Sequence, residues 1–306
     1  MKTAAGDKRM DGILNIYKEA GYTSHDVVAK LRGILKQRRI GHTGTLDPDA
    51  EGVLPVCLGS ATKLCDMLTD RDKVYRAVLL LGVTTDTLDT SGRVLHECPV
   101  KASADEVRAA ILRFVGGYDQ VPPMYSALKV NGKKLYELAR QGKEVERAPR
   151  RVEIYDICIE EIACPRVVMT VHCGKGTYIR ALCQDIGNSL GCGGCMEKLE
   201  RLAACGFTAD SALRLSEVER LQSEGKLESR LISSDDILKD LPALQTNQAA
   251  DRLVHNGNRL EDRNFLQCRN LLGQARVYDS AGTFMGIYGR ELEEDSWKPV
   301  KMFLGS

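Results

Sequence analysis

The residues Gly41-His42-Thr43-Gly44-Thr45-Leu46-Asp47-Pro48 form a stretch suited to holding a reactive group. Two glycines permit backbone angles closed to other residues, and Pro48 restrains Asp47 to extended conformations. A carboxylate fixed in this way can serve as nucleophile, general base or metal ligand. An ordinary Asp-Pro turn has the same composition, so the loop alone does not separate chemistry from chain reversal. His42 carries the same ambiguity. A P-loop is excluded, because no G-x-x-x-x-G-K-[ST] occurs.

A second stretch has the make-up of a nucleic-acid grip. Residues 120–151 hold eight bases (Lys129, Lys133, Lys134, Arg140, Lys143, Arg147, Arg150, Arg151) and three acids (Glu137, Glu144, Glu146), a net charge of +5. The chain of 306 residues carries only +1, so the remainder sums to −4. Lys30, Arg32, Lys36, Arg38 and Arg39 form a further basic run without an acid. Tyr125 and Tyr136 punctuate the longer segment. Cations interleaved with aromatics suit a flexible phosphate backbone and unstacked bases. A solvated charged face would look the same in isolation.

The elements that must position these stretches are legible in the periodicity. Thr23 and Ser24 are N-cap residues for a helix carrying Val27, Val28, Leu31, Ile34 and Leu35 on one face, which ends in the cations 36–39. Residues 74–81 and 167–173 read as strands, and 105–114 as a helix. Gly174-Lys175-Gly176-Thr177 leads into a second amphipathic helix through Ile179, Leu182, Cys183 and Ile186. Strands and helices interleave without the regular beat of a doubly wound sheet, so the predicted class is α+β. Residues 216–240 turn acidic, with seven acids against four bases. Beyond Leu241-Pro242 the chain reads as short β elements, with a hairpin around Ser280-Ala281-Gly282.

Bulk composition narrows the possibilities. A hydrophobic fraction of 43% and a charged fraction of 28% exclude collagen-like or largely disordered chains. No apolar run approaches the roughly 18 residues of a membrane span, and the first residues lack the apolar core of a secretory signal. Eleven cysteines are spread irregularly, which predicts free thiols and a cytoplasmic protein. Cys192-Gly193-Gly194-Cys195 lacks a second ligand pair at zinc spacing, so no metal is expected. Residues 1–9 are expected to be a tail, 10–237 a catalytic domain and 238–306 a small C-terminal domain.

Extended through Glu51-Gly52-Val53-Leu54-Pro55, the Asp47 loop resembles the signature of bacterial tRNA pseudouridine-55 synthases, the TruB-type family. The likeness recurs in order: Gly59-Ser60-Ala61-Thr62-Lys63-Leu64; Lys73-Val74-Tyr75-Arg76 leading to Leu81-Gly82; Thr84-Thr85-Asp86-Thr87 with Asp89 and Gly92; Pro122-Pro123-Met124-Tyr125-Ser126-Ala127-Leu128-Lys129; Gly174 to Arg180; and Leu190-Gly191-Cys192-Gly193 with Leu199. It covers roughly residues 11 to 235. The remainder, with Gly257-Asn258 and Lys298-Pro299-Val300-Lys301, resembles an RNA-binding PUA barrel.

The resemblance implies a central mixed or antiparallel sheet flanked by helices, with 120–151 a basic lid that closes on RNA. It implies a cofactor-free isomerisation of a uridine in the T loop of tRNA, position 55, without an obligatory protein partner. Asp47 matches the essential aspartate, Arg180 its guanidinium partner, and Tyr75 the aromatic residue that stacks on the target uracil. Tyr178 and Leu199 match other pocket residues, and His42 the residue filling the space left by the extruded nucleotide. Whether the carboxylate attacks covalently or removes a sugar proton stays open; both routes need it ionised in a water-poor pocket, a form the adjacent guanidinium favours. Lys18, Lys63, Lys129, Lys133, Lys134 and Arg140 are expected at the RNA backbone.

This chain departs from the family pattern in three places. Glu19 replaces a proline, which puts a negative charge near the expected RNA, and Glu200 stands where a first arginine is usual before Arg201. From residue 241 onward the C-terminal domain balances eight bases against eight acids, Arg269 and Glu293 among them. Two other function classes compete: a non-catalytic RNA-binding or RNA-folding protein using the same surface, and a cysteine-dependent uridine methyltransferase, for which no glycine-rich methyl-donor fingerprint is visible.

Overall fold

The computed structural model describes residues 9–304 apart from 131, 269, 270 and 293. The expected tail, Arg9 excepted, lies outside the described residues, as do Arg269 and Glu293. Strand β1 (Gly12–Lys18) leads to helix α1 (Ser24–Leu35). The Thr23 hydroxyl accepts from the Asp26 N–H at 3.1 Å while the Asp26 carboxylate receives the Thr23 N–H, a reciprocal cap that starts the helix where predicted. Strands β2 (Ile40–His42) and β3 (Glu51–Leu58) pair with each other, so the Asp47 loop joins two strands of one ladder.

After α2 (Cys65–Thr69) comes β4 (Lys73–Leu81), buried at every second residue. A hairpin of β5 (Val83–Thr85) and β6 (Val94–Glu97), helix α3 (Ala104–Leu112) and β7 (Gly116–Gln120) follow. The basic segment contains a ribbon, β8 (Lys129–Val130) with β9 (Lys133–Lys134), and a short helix, α4 (Leu135–Arg140). Then come β10 (Arg150–Ala163), β11 (Arg166–Cys173), α5 (Ile179–Ser189), β12 (Gly194–Ala204), β13 (Phe207–Thr208) and α6 (Leu215–Ser223).

These strands form one nine-stranded sheet in the order β1-β3-β12-β4-β11-β10-β7, with β2 on β3 and β13 on β12. Its pairings are antiparallel except that between β3 and β12, which run parallel and meet at two rungs, Glu51 with Glu200 and Gly52 with Arg201. The two halves of the sheet therefore join at a narrow seam. On one side, Leu14, Ile16, Leu54 and Val56 pack under α1 and α6; on the other, Tyr75, Ala77, Leu79, Met169 and Val171 pack under α3 and α5. Alternate residues of β4 and β11 bury one face and leave the other near water, the usual pattern of an antiparallel sheet covered on one side. Gly52 is required at the seam: a Cβ there would lie 2.2 Å from the Arg201 carbonyl oxygen.

A second sheet, β14 (Ala243–Gln245), β16 (Gly273–Tyr278), β17 (Phe284–Arg290), β18 (Ser296–Met302) and β15 (Leu260–Glu261), lies beside α7 (Asp251–His255). A bridge between Thr246 and Phe265 links its two edges, curling it toward a barrel. The hairpin turn forms with Asp279 donating to the Thr283 carbonyl at 3.0 Å and Gly282 at φ 83°. Trp297 and Tyr288 fill its own core, but Ile287 and Phe303 belong to a cluster with Ile13 of the larger sheet and with Leu64 and Leu68 at and before α2. The architecture is α+β, as the element pattern predicts.

Candidate active site

The loop from Gly41 to Pro48 is held by backbone and side chain together. Ser24, buried at the start of α1, accepts the Leu46 N–H at 2.9 Å. The Pro48 carbonyl accepts from the Gly21 N–H at 3.0 Å and from Lys18 Nζ at 2.9 Å. Lys18 Nζ also donates to Ala50 O at 2.6 Å. Lys18, Gly21 and Ser24 thus form one cradle for the residues around Asp47.

Lys18 is fully buried, which corrects its expected place at the RNA backbone: its ammonium is spent on carbonyl oxygens. Burial pushes it down to about 8, with the nearby Asp47 charge opposing. Lys63 is exposed and donates to Met302 O at 2.6 Å.

Asp47 meets Arg180 in a two-pronged ion pair, Nε to Oδ2 at 2.9 Å and Nη2 to Oδ1 at 3.1 Å. Arg180 is 5% exposed, whereas the Asp47 side chain keeps 37% of its surface open to the pocket. The other donors of Arg180 go to Thr87 O at 2.9 Å and Tyr125 O at 2.8 Å, the latter inside the basic segment. Asp89 approaches Arg180 Nε at 3.8 Å. Burial raises the Asp47 carboxyl above its ordinary value; the Arg180 charge opposes and the Asp89 charge adds to the rise. The guanidinium favours the ionised form, as expected, but burial outweighs it.

Asp89 escaped the sequence reading as a site residue, although its motif was noticed. It is fixed by its own loop: Oδ1 accepts from Thr87 Oγ1 at 2.7 Å and from Ser91 Oγ at 2.6 Å. Gly92 is needed there, because a Cβ would lie 2.2 Å from Thr87 Oγ1.

Tyr75 lies on β4 in the same cluster as Leu46 and Ala50, which flank Asp47. Leu199, opposite Ala77 on β12, packs against that cluster and is half-buried. Burial raises the Tyr75 phenol, and the Arg201 guanidinium beside it pulls the other way. Tyr178 stands at the N-cap of α5, clamped by Gln120: its N–H donates to Gln120 Oε1 at 2.8 Å and its carbonyl accepts from Gln120 Nε2 at 3.1 Å. Gln120, buried and at the root of the basic segment, was not anticipated. His42 accepts the Gly44 N–H at 3.3 Å and packs edge-on against His25, ring centres 5.3 Å apart. Burial, first, and then the neighbouring His25 ring and the Arg201 charge lower its affinity for a proton.

Lys129, Lys133 and Arg140 are exposed on the basic segment, and Lys134 is half-buried. Lys129 sits directly across from Lys134 in the ribbon. Like charges in that register repel, so the ribbon presents cations that an outside anion would neutralise. Lys134 and Arg140 both lie over the Tyr136 ring, 5.4 Å from its centre. The charge of Glu19 is met by Arg214 at 2.5 Å, and Glu200 accepts the Tyr17 hydroxyl at 2.9 Å. Neither acid faces the pocket unpaired.

Comparison with known proteins agrees with this geometry. A family model described as "TruB family pseudouridylate synthase (N terminal domain)" matches residues 32–179, and "tRNA pseudouridylate synthase B C-terminal domain" matches 180–241. The chain is 52% identical to tRNA pseudouridine synthase B of Lachnoclostridium phytofermentans, over 96% of this chain and all of that protein. It is 43% identical to the protein of the same name from Clostridium acetobutylicum, over 96% of this chain and 99% of that one. Among solved structures, a Cbf5-Nop10-Gar1 complex contains a chain of the same fold, with a TM-score of 0.73 at 24% identity, covering 96% of this chain and 84% of the other. With a family signature over most of its length and relatives matched nearly end to end, the chain belongs to the TruB family of pseudouridine synthases.

Proposed function

We propose that this protein converts one uridine in the T loop of tRNA, position 55, to pseudouridine. The observation that carries it is the two-pronged hold of buried Arg180 on half-open Asp47, beside Tyr75 and under a basic segment. A base in an RNA loop must be turned out before its glycosidic bond can be handled. Tyr75 stacks on the uracil, which contributes about 1–3 kcal/mol per base in single-strand recognition. Tyr178 and Leu199 close the pocket around it, and His42 takes the space the nucleotide leaves.

Arg180 orients the carboxylate and favours its ionised form against the cost of burial. The uracil departs from and returns to its own sugar, so substrate and product are isomers and no external group is consumed. Lys129, Lys133, Lys134 and Arg140 grip phosphates while the segment 120–151 closes, and Tyr136 between its cations offers a stacking face. The C-terminal sheet, residues 238–306, is a PUA-like accessory surface whose balanced charge contributes little electrostatic affinity. A tRNA substrate and free thiols support a cytoplasmic setting.

The test is to incubate purified protein with a T-arm stem-loop and map pseudouridine by position. One modified uridine is expected, and none with Asp47→Asn, while RNA affinity stays within about tenfold, or ~1.4 kcal/mol. Undiminished product from that variant would sink the assignment of Asp47.

A further inference from the structure

Arg201 is a cation buried without a counter-charge. It is 1% exposed and has no ion-pair partner among the described residues. Its Nε donates to Val53 O at 2.6 Å, across the seam between β12 and β3. Its Nη2 is buried with no hydrogen-bond partner. Its Nη1 lies 3.6 Å from where a Cβ would stand on Gly44 of the Asp47 loop. The charge reaches several neighbours, making protonation harder at Lys18, His42 and Lys73. An unpaired buried ion is costly, and ordinary core packing would be served better by methionine or leucine.

Arg201 is also the cross-strand partner of Tyr75 in the β4–β12 ladder, which stands the two buried side chains on one face of the sheet, and its charge acts on the phenol. A guanidinium has only donors. Where the two meet, the Tyr75 oxygen is the acceptor and its own hydrogen turns away from Arg201. Cys173 on β11 and Asp47 on the loop also act on the phenol. Each becomes an anion when it ionises, whereas Arg201 brings positive charge.

We propose that Arg201 is the positioning residue of Tyr75, a fixed donor that orients the phenol toward the reacting base. The inference rests on the reading of Tyr75 as a residue that meets the target uracil. It predicts that Arg201 acts through the phenol oxygen and through nothing else in the chemical step.

A double-mutant cycle tests this. Single-turnover pseudouridine formation and stem-loop affinity are measured for Arg201→Met, Arg201→Lys, Tyr75→Phe and the pair Arg201→Met with Tyr75→Phe. Arg201→Met is expected to slow the chemical step by about 10–100-fold, the equivalent of one charge-assisted hydrogen bond, with affinity within about threefold. Arg201→Lys, which keeps a charged donor, recovers part of the rate. In the Tyr75→Phe background Arg201→Met should cost less than about twofold more, because the shared contact is already gone. Multiplicative losses overturn the proposal, as does a loss confined to RNA affinity. If Tyr75→Phe keeps full activity, the phenol oxygen has no part in the step and the proposal is overturned, while a loss with Tyr75→Ala but not with Phe leaves the stacking role of the ring standing. Should Arg201→Met not fold, the Lys variant in both backgrounds carries the same comparison.

Discussion

Gln120 and Arg150 face each other across the β7–β10 ladder, and the whole basic segment leaves the sheet at one and returns at the other. Its ends are therefore fixed by ordinary strand pairing, and its interior is tied to the site through the Tyr125 carbonyl that Arg180 holds.

Replacing residues 123–147 with a short Asn-Gly turn is expected to leave the sheet intact, since the ladder that frames the segment survives. Thermal midpoint should fall by no more than a few degrees, and stem-loop binding should drop steeply. Changing Lys129, Lys133, Lys134 and Arg140 to Gln is the milder form. For single strands the salt slope is about −0.7 per neutralised phosphate, so losing four contacts flattens it by roughly 3 units. A slope unchanged in either variant would mean that these cations face water in the complex.

Gln120→Ala should affect both stability and catalysis. Its side chain holds both backbone groups of Tyr178; truncation leaves the partly buried N–H unpaired, at about 1–3 kcal/mol, while the carbonyl keeps the Leu182 N–H at 3.0 Å. Because Tyr178 opens the helix that carries Arg180, the rate should fall with the midpoint. Denaturant melts beside single-turnover rates provide the check, and a destabilised variant with full activity would disconnect the clamp from the site.

The acid limb of activity should report Asp47. Burial holds its proton more tightly than usual, so the limb is expected above the ordinary carboxylate value of 3.8. Arg180→Gln removes the charge opposing that rise and should displace the limb further toward neutral, besides lowering the maximal rate. Rate against pH for the two proteins decides the direction; a limb that stays still would separate Asp47 from the titration.

Lys18 makes a prediction of opposite sense. In the folded chain it sits at about 8, against 10.5 for the free side chain. Between those values the unfolded chain binds the proton and the folded chain does not, so folding stability contributed by this group rises with pH across that window. Below about 8 both states hold the proton and the charged lysine bears its full burial penalty. Denaturation midpoints of the native protein and Lys18→Met at pH 7.5 and pH 9.5 should differ in slope, with the native protein gaining relative to the variant at the higher pH.

Glu19→Gln, by contrast, should be nearly silent. Its pair with Arg214 is exposed, and such pairs contribute about 0–1 kcal/mol. A loss of RNA affinity in that variant would be unexpected, because the carboxylate is already neutralised by its neighbour.

The helix from Ser24, the strands at 74–81 and 167–173 and the loop around Asp47 were legible because caps, alternation and turn residues act within a few positions. The partnership of Arg180 with Asp47 came from likeness to a family; the fork itself spans 133 residues of chain, beyond any local pattern. Gln120, Asp89 and Arg201 were missed as site residues for the same reason, since each earns its role from a distant partner. Lys18 shows the converse. A lysine's letter does not say whether its ammonium reaches phosphate or a carbonyl oxygen, and only burial decides.

The two-rung seam between β3 and β12 gives the chemistry a mechanical side. Asp47 hangs from the β2–β3 half of the sheet, whereas Tyr75, Leu199 and Arg180 belong to the other half. The fork between Asp47 and Arg180 and the bond from Arg201 to Val53 both cross that gap, fastening the halves where backbone pairing is thinnest. Substitutions at Asp47 or Arg180 therefore cut a fastener as well as a reagent. Amide exchange along Gly52–Leu54 and Glu200–Leu202 should quicken in those variants, marking how far the alignment of the pocket depends on the residues that work inside it.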